Sequence, residues 1–294
     1  MHIQPFIDFI QQEKRYSAHT IQSYTKDLEQ FQVFCRLQYQ LEDIDQVTYQ
    51  HIRSWIVHLM NEKIAPKSVN RKISTLRSYY KFCLKRQVIS TNPVYGIQGP
   101  KAPKRNPVFV PETQMNTLFD QLQFPDDFEG HRDKMILELF YFTGMRKAEL
   151  IGLRIKDVDF YQGTIKVLGK RNKERLIPAT PVLLKSIEKY MAIRAAQEFA
   201  RGTDCLFITS RGIPLAPRQV YTIVNKYLEA VTTVHKKSPH ILRHTFATHM
   251  LNNGADINGI KEILGHSSLA ATEVYTHNSF EKLKNIHKKA HPKG

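Results

Sequence analysis

The stretch "KKSPHILRHTFATHM" crowds His240, Arg243 and His244 into little more than one helical turn. Ser238 and Pro239 read as a helix start, so His240 and Arg243, three apart, share a face near the positive end of the helix dipole. An imidazole and a guanidinium held there make an anion site, and the planar fork of arginine matches two oxygens of one phosphate. Taken alone, a helix with a buried histidine and a surface arginine would read the same way. Metal binding is a third reading, because His240 and His244 are four apart. The metalloprotease pattern needs Glu at position 241, where this chain has Ile241, so no metal site is expected.

Three further stretches add reactive groups. In "YFTGMRKAELIGL", Gly144 ends one helix and Arg146 begins a short second one, with Glu149 three residues on to hold the guanidinium. In "VLGKRNKERLIPA", Lys170 sits at a tight turn between two strands, from which a long amine can reach into a cleft. Lys166, Arg171 and Lys173 lie close by, and composition does not choose among them. In "ILGHSSLAATEVYTH", Gly265 suits the residue after a helix end and places His266 in a turn. Ser267 or Ser268 then caps a helix bearing Tyr275. By itself that tyrosine reads as a core residue.

Combined, these groups describe one reaction. Phosphoryl transfer spreads charge over non-bridging oxygens, so catalysis is mostly positioning and electrostatics. Two arginines and two histidines could neutralise that charge without a metal. Tyr275 is the one member of the set suited to be an oxygen nucleophile. Its ordinary pKa of about 10 makes full ionisation at pH 7 cost about 4 kcal/mol, which cationic neighbours or a base can offset. A departing sugar 5′-oxygen needs a proton, and a lysine on a turn can supply it.

The elements that must position these groups fall into two parts. The first reads as four helices: "PFIDFIQQEK", "SAHTIQSYTKDLEQFQVFCRLQ" with a Ser17 cap, "TYQHIRSWIVHLMNE" and "PKSVNRKISTLRSYYKFCLKR" with Pro66 in its first turn. Residues 91–107 form a basic linker, with Pro93, Pro100, Pro103 and Pro107 too frequent for a periodic element. The boundary is placed near Pro103, between a domain at 1–90 and one at 108–294. The second part opens with helices near 111–123 and 131–142, followed by strands "RIKDVDF", "GTIKVLG" and "ERLIPA". Helices near 180–199, 217–234, 239–252, 257–264 and 268–276 complete it. The expected fold is mainly α with a small antiparallel β-sheet, an α+β arrangement.

Charge points to a polyanionic partner. The 294 residues carry a formal net charge of +16, which favours nucleic acid or an acidic membrane surface. In the fourth helix, Val69, Ile73, Leu76, Tyr80, Cys83 and Leu84 share one face, and Lys67, Arg71, Lys81 and Lys85 face away from it. Residues 66–86 contain no acidic side chain. A solvated face normally mixes both signs, since like charges repel. Together with Lys72 and Arg77, and with Lys101, Lys104 and Arg105 in the linker, this helix reads as a phosphate-contacting surface. No run of about 18 apolar residues is present to span a bilayer. The N-terminus, with Asp8 and Glu13, does not read as a signal peptide. Three scattered cysteines, Cys35, Cys83 and Cys205, read as reduced residues of a cytoplasmic protein.

The motifs resemble those of the tyrosine recombinase (phage integrase) family, and of its Xer type in particular. "TGMRKAEL" matches the family's first arginine motif, with Arg146, and "GKRNKER" its lysine hairpin, with Lys170. "HILRH" matches with His240 and Arg243, and "LGH" and "YTH" match with His266 and Tyr275. Met145 and Arg171 depart from residues common at their positions. The first part resembles the family's N-terminal SAM-like DNA-clamping domain.

The resemblance implies a 3′-phosphotyrosine intermediate made by Tyr275, with strand exchange through a Holliday junction. Arg146, Arg243 and His266 would stabilise the phosphorane, His240 would assist proton transfer and Lys170 would be the general acid, with Glu149 and His244 supporting. It also implies a homo- or hetero-tetramer on a dif-like duplex site and no cofactor. A C-terminal tail contacting a neighbouring protomer, here through Leu283 and Ile286, and activation by a septal DNA translocase of the FtsK-like kind are implied as well. Integration of a mobile element is the alternative reading. A type IB topoisomerase and a non-enzymatic DNA-binding protein fit less of the sequence.

Overall fold

A computed structural model describes residues 3–103, 108–169, 173–265, 286–287 and 289–293. The chain divides into two compact units, Met1–Arg105 and Asn106–Gly294, each with its own hydrophobic core.

The first unit is helical. Helix α1 (Ile3–Asp8) runs on through a π-turn at Phe9–Glu13, and α2 (Ala18–Tyr39) begins at Ser17, whose side chain accepts from Thr20 N. Helices α3 (Tyr49–Asn61) and α4 (Pro66–Lys85) follow, the latter with Pro66 in its first turn. Phe31, Trp55, Leu76 and Tyr80 are fully buried at their centre.

The basic face of α4 is narrower than its sequence implies. Lys67, Arg77, Lys81 and Lys85 are exposed, and so is Lys101. Lys72, expected to contact phosphate, has only 8% of its side chain exposed, and its Nζ donates to Asp27 at 3.0 Å and to Gln30. Arg71 pairs with both carboxylate oxygens of Asp27, and Thr75 donates to the same group at 2.9 Å. Arg77 donates to the carbonyl of Ile97 at 2.6 Å. A buried carboxylate on α2 thus claims Lys72 outright and shares Arg71, because an uncompensated buried charge would be costly. Leu84, placed by periodicity on the apolar side, is exposed instead. Lys104 and Arg105 lie outside the described residues.

In the second unit, α5 (Glu112–Asn116) passes into a π-turn at Thr117–Gln121. Helix α6 (Phe128–Thr143), capped by Asp127, is buried along nearly its whole length, and α7 (Lys147–Ile151) follows almost at once. The strands β1 (Val158–Asp159), β2 (Thr164–Leu168) and β3 (Glu174–Pro178) form an antiparallel sheet in that order, with Ile165 opposite Ile177 and Val167 opposite Arg175. "RIKDVDF" contributes little strand, because Ile155–Asp157 is a 3₁₀ turn. Helices α8 (Pro181–Ala195), α9 (Pro217–Val231), α10 (Pro239–Asn252) and α11 (Ile257–Leu264) follow, and the helix expected near 268–276 lies outside the described residues. The chain is therefore mainly α with a small antiparallel sheet. Among the described residues no helix is long and apolar enough to cross a membrane.

The described residues of the C-terminal tail, 286–287 and 289–293, pack on the second unit. Ile286, expected against a neighbouring protomer, is partly buried against the core of the second unit, while Leu283 lies outside the described residues. His287 and His291 are buried with their rings stacked at 5.3 Å. Their Nε2 atoms lie 2.5 Å from Phe142 O and 3.1 Å from Tyr141 O, meeting carbonyls in the last turn of α6 that have no partner within the helix. Asn253 Nδ2 adds a bond to Ala290 O at 2.9 Å. Thus the tail caps the helix that delivers Gly144 and Arg146.

Burial lowers the pKa of both histidines, that of His291 to about 3, so both are neutral when docked. A released tail would titrate near 6.5 and bind more protons between the two values, so docking weakens as pH falls below 6.5. Going from pH 7.5 to 5.5 should weaken docking by about tenfold through His291, with His287 acting in the same direction. Hydrogen exchange of residues 286–293, corrected for its intrinsic pH dependence, measures this; constant protection would contradict it.

Candidate active site

The site is built where α6, β3, α10 and α11 end or begin close together. Gly144 closes α6 in the left-handed region (φ +59°), its N–H donating to Phe140 O. A Cβ there would lie 2.5 Å from the Phe246 ring and 2.7 Å from a Leu264 methyl, so only glycine fits both the backbone and the space. The Thr143 hydroxyl accepts from Met145 N at 3.2 Å, and Met145 is wholly buried. Arg146 then emerges in fixed position at the start of α7.

Glu149 holds it there in two ways. Its Oε2 accepts from the Arg146 backbone N–H at 2.7 Å, and its Oε1 from Arg146 Nη1 at 2.8 Å. The first bond caps α7 and the second aims the guanidinium, whose side chain remains 35% exposed. Burial alone would raise the pKa of Glu149, but bonds from Arg175 and Arg146 hold it below its ordinary value. It is therefore an anion at neutral pH.

Arg243 comes from the second turn of α10 and is buried. Its Nη1 donates to Gly144 O at 2.6 Å and its Nη2 to Leu264 O at 2.7 Å. Arg146 Nη2 donates to the next carbonyl, Gly265 O, at 2.8 Å. Burial, with the charges of Arg146 and Arg175 beside it, brings the Arg243 pKa down to about 10; Glu149 opposes the fall. It stays charged at pH 7. Each guanidinium has five N–H donors, and these bonds occupy two of them in each case.

Arg175 is a third guanidinium of the site, one to which motif and composition assign no role. It lies on β3 with Ile177 on the inward side, while Glu174 and Leu176 point out. Its Nη1 and Nη2 bind Glu149 Oε1 and Oε2 at 2.5 and 2.9 Å, and its Nε donates to Ile263 O at 2.9 Å. An inward-facing arginine in a strand that alternates in and out was the available signal, since a buried guanidinium requires an acidic partner.

His240 and His244 are both exposed near the start of α10. Ser238 occupies the N-cap with its backbone, Ser238 O accepting from Ile241 N at 2.9 Å, and its hydroxyl makes no capping bond. Partial desolvation, then the neighbouring His244 ring and the positive charges of Arg243, Lys147 and Lys236, lower the pKa of His240, favouring the neutral ring that can accept a proton. The described structure brings Arg146, Arg243 and Glu149 together. Lys170, Arg171, His266 and Tyr275 lie outside the described residues. Gly169 N donates to Lys173 O at 2.7 Å across the base of the Lys170 hairpin. Gly265 (φ +65°) caps α11 immediately before His266.

Two guanidiniums bonded to one carboxylate, with that of Arg243 nearby, leave an excess of two positive charges at the end of α11. That arrangement suits an oxyanion. Residues 109–282 match the phage integrase family, and residues 3–87 match the phage integrase N-terminal SAM-like domain. The chain belongs to the phage integrase family. The chain is a tyrosine-type site-specific DNA recombinase and a DNA-binding protein.

Its relatives include tyrosine recombinase XerC of Chlorobaculum parvum, 36% identical over 99% of this chain and 94% of that one. XerC of Oceanobacillus iheyensis is 37% identical over 100% and 96%. Among solved structures, the chain shares its fold with XerH site-specific recombinase bound to palindromic difH substrate in a post-cleavage complex. That match has a TM-score of 0.73 and 20% identity, over 92% of this chain and 80% of that one. The Tn1549 transposon integrase with transposon right end DNA is similar at a TM-score of 0.73 and 18% identity, over 95% and 97%.

Proposed function

We propose that this recombinase resolves chromosome dimers by cutting and rejoining a dif-like duplex site near the replication terminus. Tyr275 attacks a phosphodiester to give a 3′-phosphotyrosine and a free 5′-hydroxyl. Arg146, Arg243 and His266 carry the charge of the phosphorane, His240 assists the proton's transfer, and Lys170 protonates the leaving 5′-oxygen. The energy of the broken bond is kept in the protein–DNA linkage, so the reaction needs no cofactor.

The observation that carries this chemistry is the pair of guanidiniums bound to adjacent carbonyls, Leu264 and Gly265, immediately before His266. Near full-length similarity to proteins named XerC supports the chromosomal role. Lys67, Lys81, Lys85 and Lys101, all exposed, are the proposed phosphate contacts of the first unit. The working assembly is a tetramer of this chain, alone or with a related recombinase, activated by an FtsK-like septal DNA translocase.

Covalent capture in cells tests the role. Adducts purified under denaturing conditions and sequenced should map to one chromosomal locus near the terminus. Adducts scattered over the ends of mobile elements would instead identify a transposon or phage integrase with the same chemistry.

A further inference from the structure

We propose that Arg175 is a positioning residue of the recombination reaction, dividing the Glu149 carboxylate so that Arg146 keeps charge for the phosphate, and fixing the turn that carries His266. This rests on the proposed roles of Arg146, His266 and Tyr275.

The carboxylate is the crux. Glu149 is buried, and its two oxygens serve two guanidiniums: both are bonded by Arg175, while Arg146 donates a single side-chain N–H, to Oε1. Without Arg175, the carboxylate would have Arg146 as its one charged partner. The stable outcome would be a fork-to-fork pair, which turns both Arg146 nitrogens toward Glu149 and cancels the charge intended for the phosphate. With Arg175 in place, one negative charge is shared between two cations, and Arg146 Nη2 is directed to Gly265 O instead.

The second part is mechanical. Three successive carbonyls at the end of α11 are each held by a different arginine: Ile263 by Arg175, Leu264 by Arg243 and Gly265 by Arg146. These are carbonyls that a helix end leaves without internal partners. Arg175 also packs beneath Gly265 so closely that a Cβ there would lie 3.0 Å from its Cδ. It sits on β3, directly after the hairpin that carries Lys170. One side chain therefore joins the lysine hairpin, the carboxylate behind Arg146 and the turn before His266. A misplacement of about 1 Å in such a set costs about 10²-fold in rate.

The test uses single-turnover cleavage of a nicked duplex built on the captured chromosomal site, with the full-length protein at saturating concentration. Arg175→Lys keeps the positive charge but loses the fork; it should bind the duplex within about twofold of wild type and cleave about 10²-fold more slowly. Arg175→Met should be slower still. Adding Glu149→Gln to Arg175→Met should recover about tenfold, because the carboxylate that captures Arg146 is gone. A purely structural role predicts the reverse, since the second change removes another buried bond. Wild-type cleavage by Arg175→Lys, or no recovery in the double variant, overturns the proposal; should Arg175→Met fail to fold, the Arg175→Lys rate decides alone. A covalent adduct formed by Tyr275→Phe would defeat the underlying site assignment, whatever the Arg175 variants do.

Discussion

Arg243→Ala should lower the rate of covalent attachment to DNA by about 10³-fold while weakening DNA binding by less than about tenfold. The size of the loss follows from where the guanidinium sits. It is buried, it stays charged, and its two terminal nitrogens are anchored on Gly144 O and Leu264 O. A donor held rigidly in a site of low dielectric needs no reorganisation as charge develops, and removing one such donor costs about 10²–10³-fold. Alanine takes away a cation as well as a donor, which places this substitution at the upper end. It also leaves two carbonyls without these donors, at about 1–3 kcal/mol each if they stay buried, so the melting temperature should fall too. Arg243→Lys separates the two effects. It restores charge without the fork and should recover about tenfold of the rate. Single-turnover cleavage with a parallel melting curve measures both. A rate within threefold of wild type would remove Arg243 from the phosphate site.

Tyr275→Phe should carry the largest effect of all. It deletes only the phenolic oxygen, so DNA binding should be unchanged within about twofold. Covalent adduct should fall below detection, a loss of at least about 10⁴-fold. No other group in the proposed set offers an oxygen nucleophile, and the arginine cluster serves to lower the cost of attack, about 4 kcal/mol if the phenol had to ionise fully at pH 7. Binding is read by gel shift and attachment by denaturing electrophoresis on the same samples. Equal loss of both would mean that the tyrosine supports the fold and does not react.

Much of the site was legible because its signals are local. Gly144 at a helix end, Arg146 as the next cap and Glu149 three residues on follow from helix geometry, and the structure places all three as that geometry requires. The strands around the Lys170 hairpin were legible for the same reason. What escaped depends on partners distant in sequence. Lys72 looks like one more surface cation until Asp27, 45 residues earlier, is seen beside it. Arg175 looks like part of a basic hairpin until Glu149, 26 residues earlier, takes both of its terminal nitrogens. His287 and His291 look like residues of a basic tail until Phe142 and Tyr141, 145 and 150 residues earlier, offer them carbonyls in the last turn of α6. Hydrophobic periodicity registers neither a buried ion pair nor an open helix end.

The central claim is that Tyr275 becomes joined to the 3′ side of the cut strand. Adduct trapped on the nicked duplex, digested with protease and nuclease and read by mass spectrometry, tests it most directly. The expected product is a nucleotide 3′-phosphate on the peptide containing Tyr275, with a free 5′-hydroxyl on the released strand. A nucleotide on any other residue, or a 5′-phosphate linkage, would contradict it.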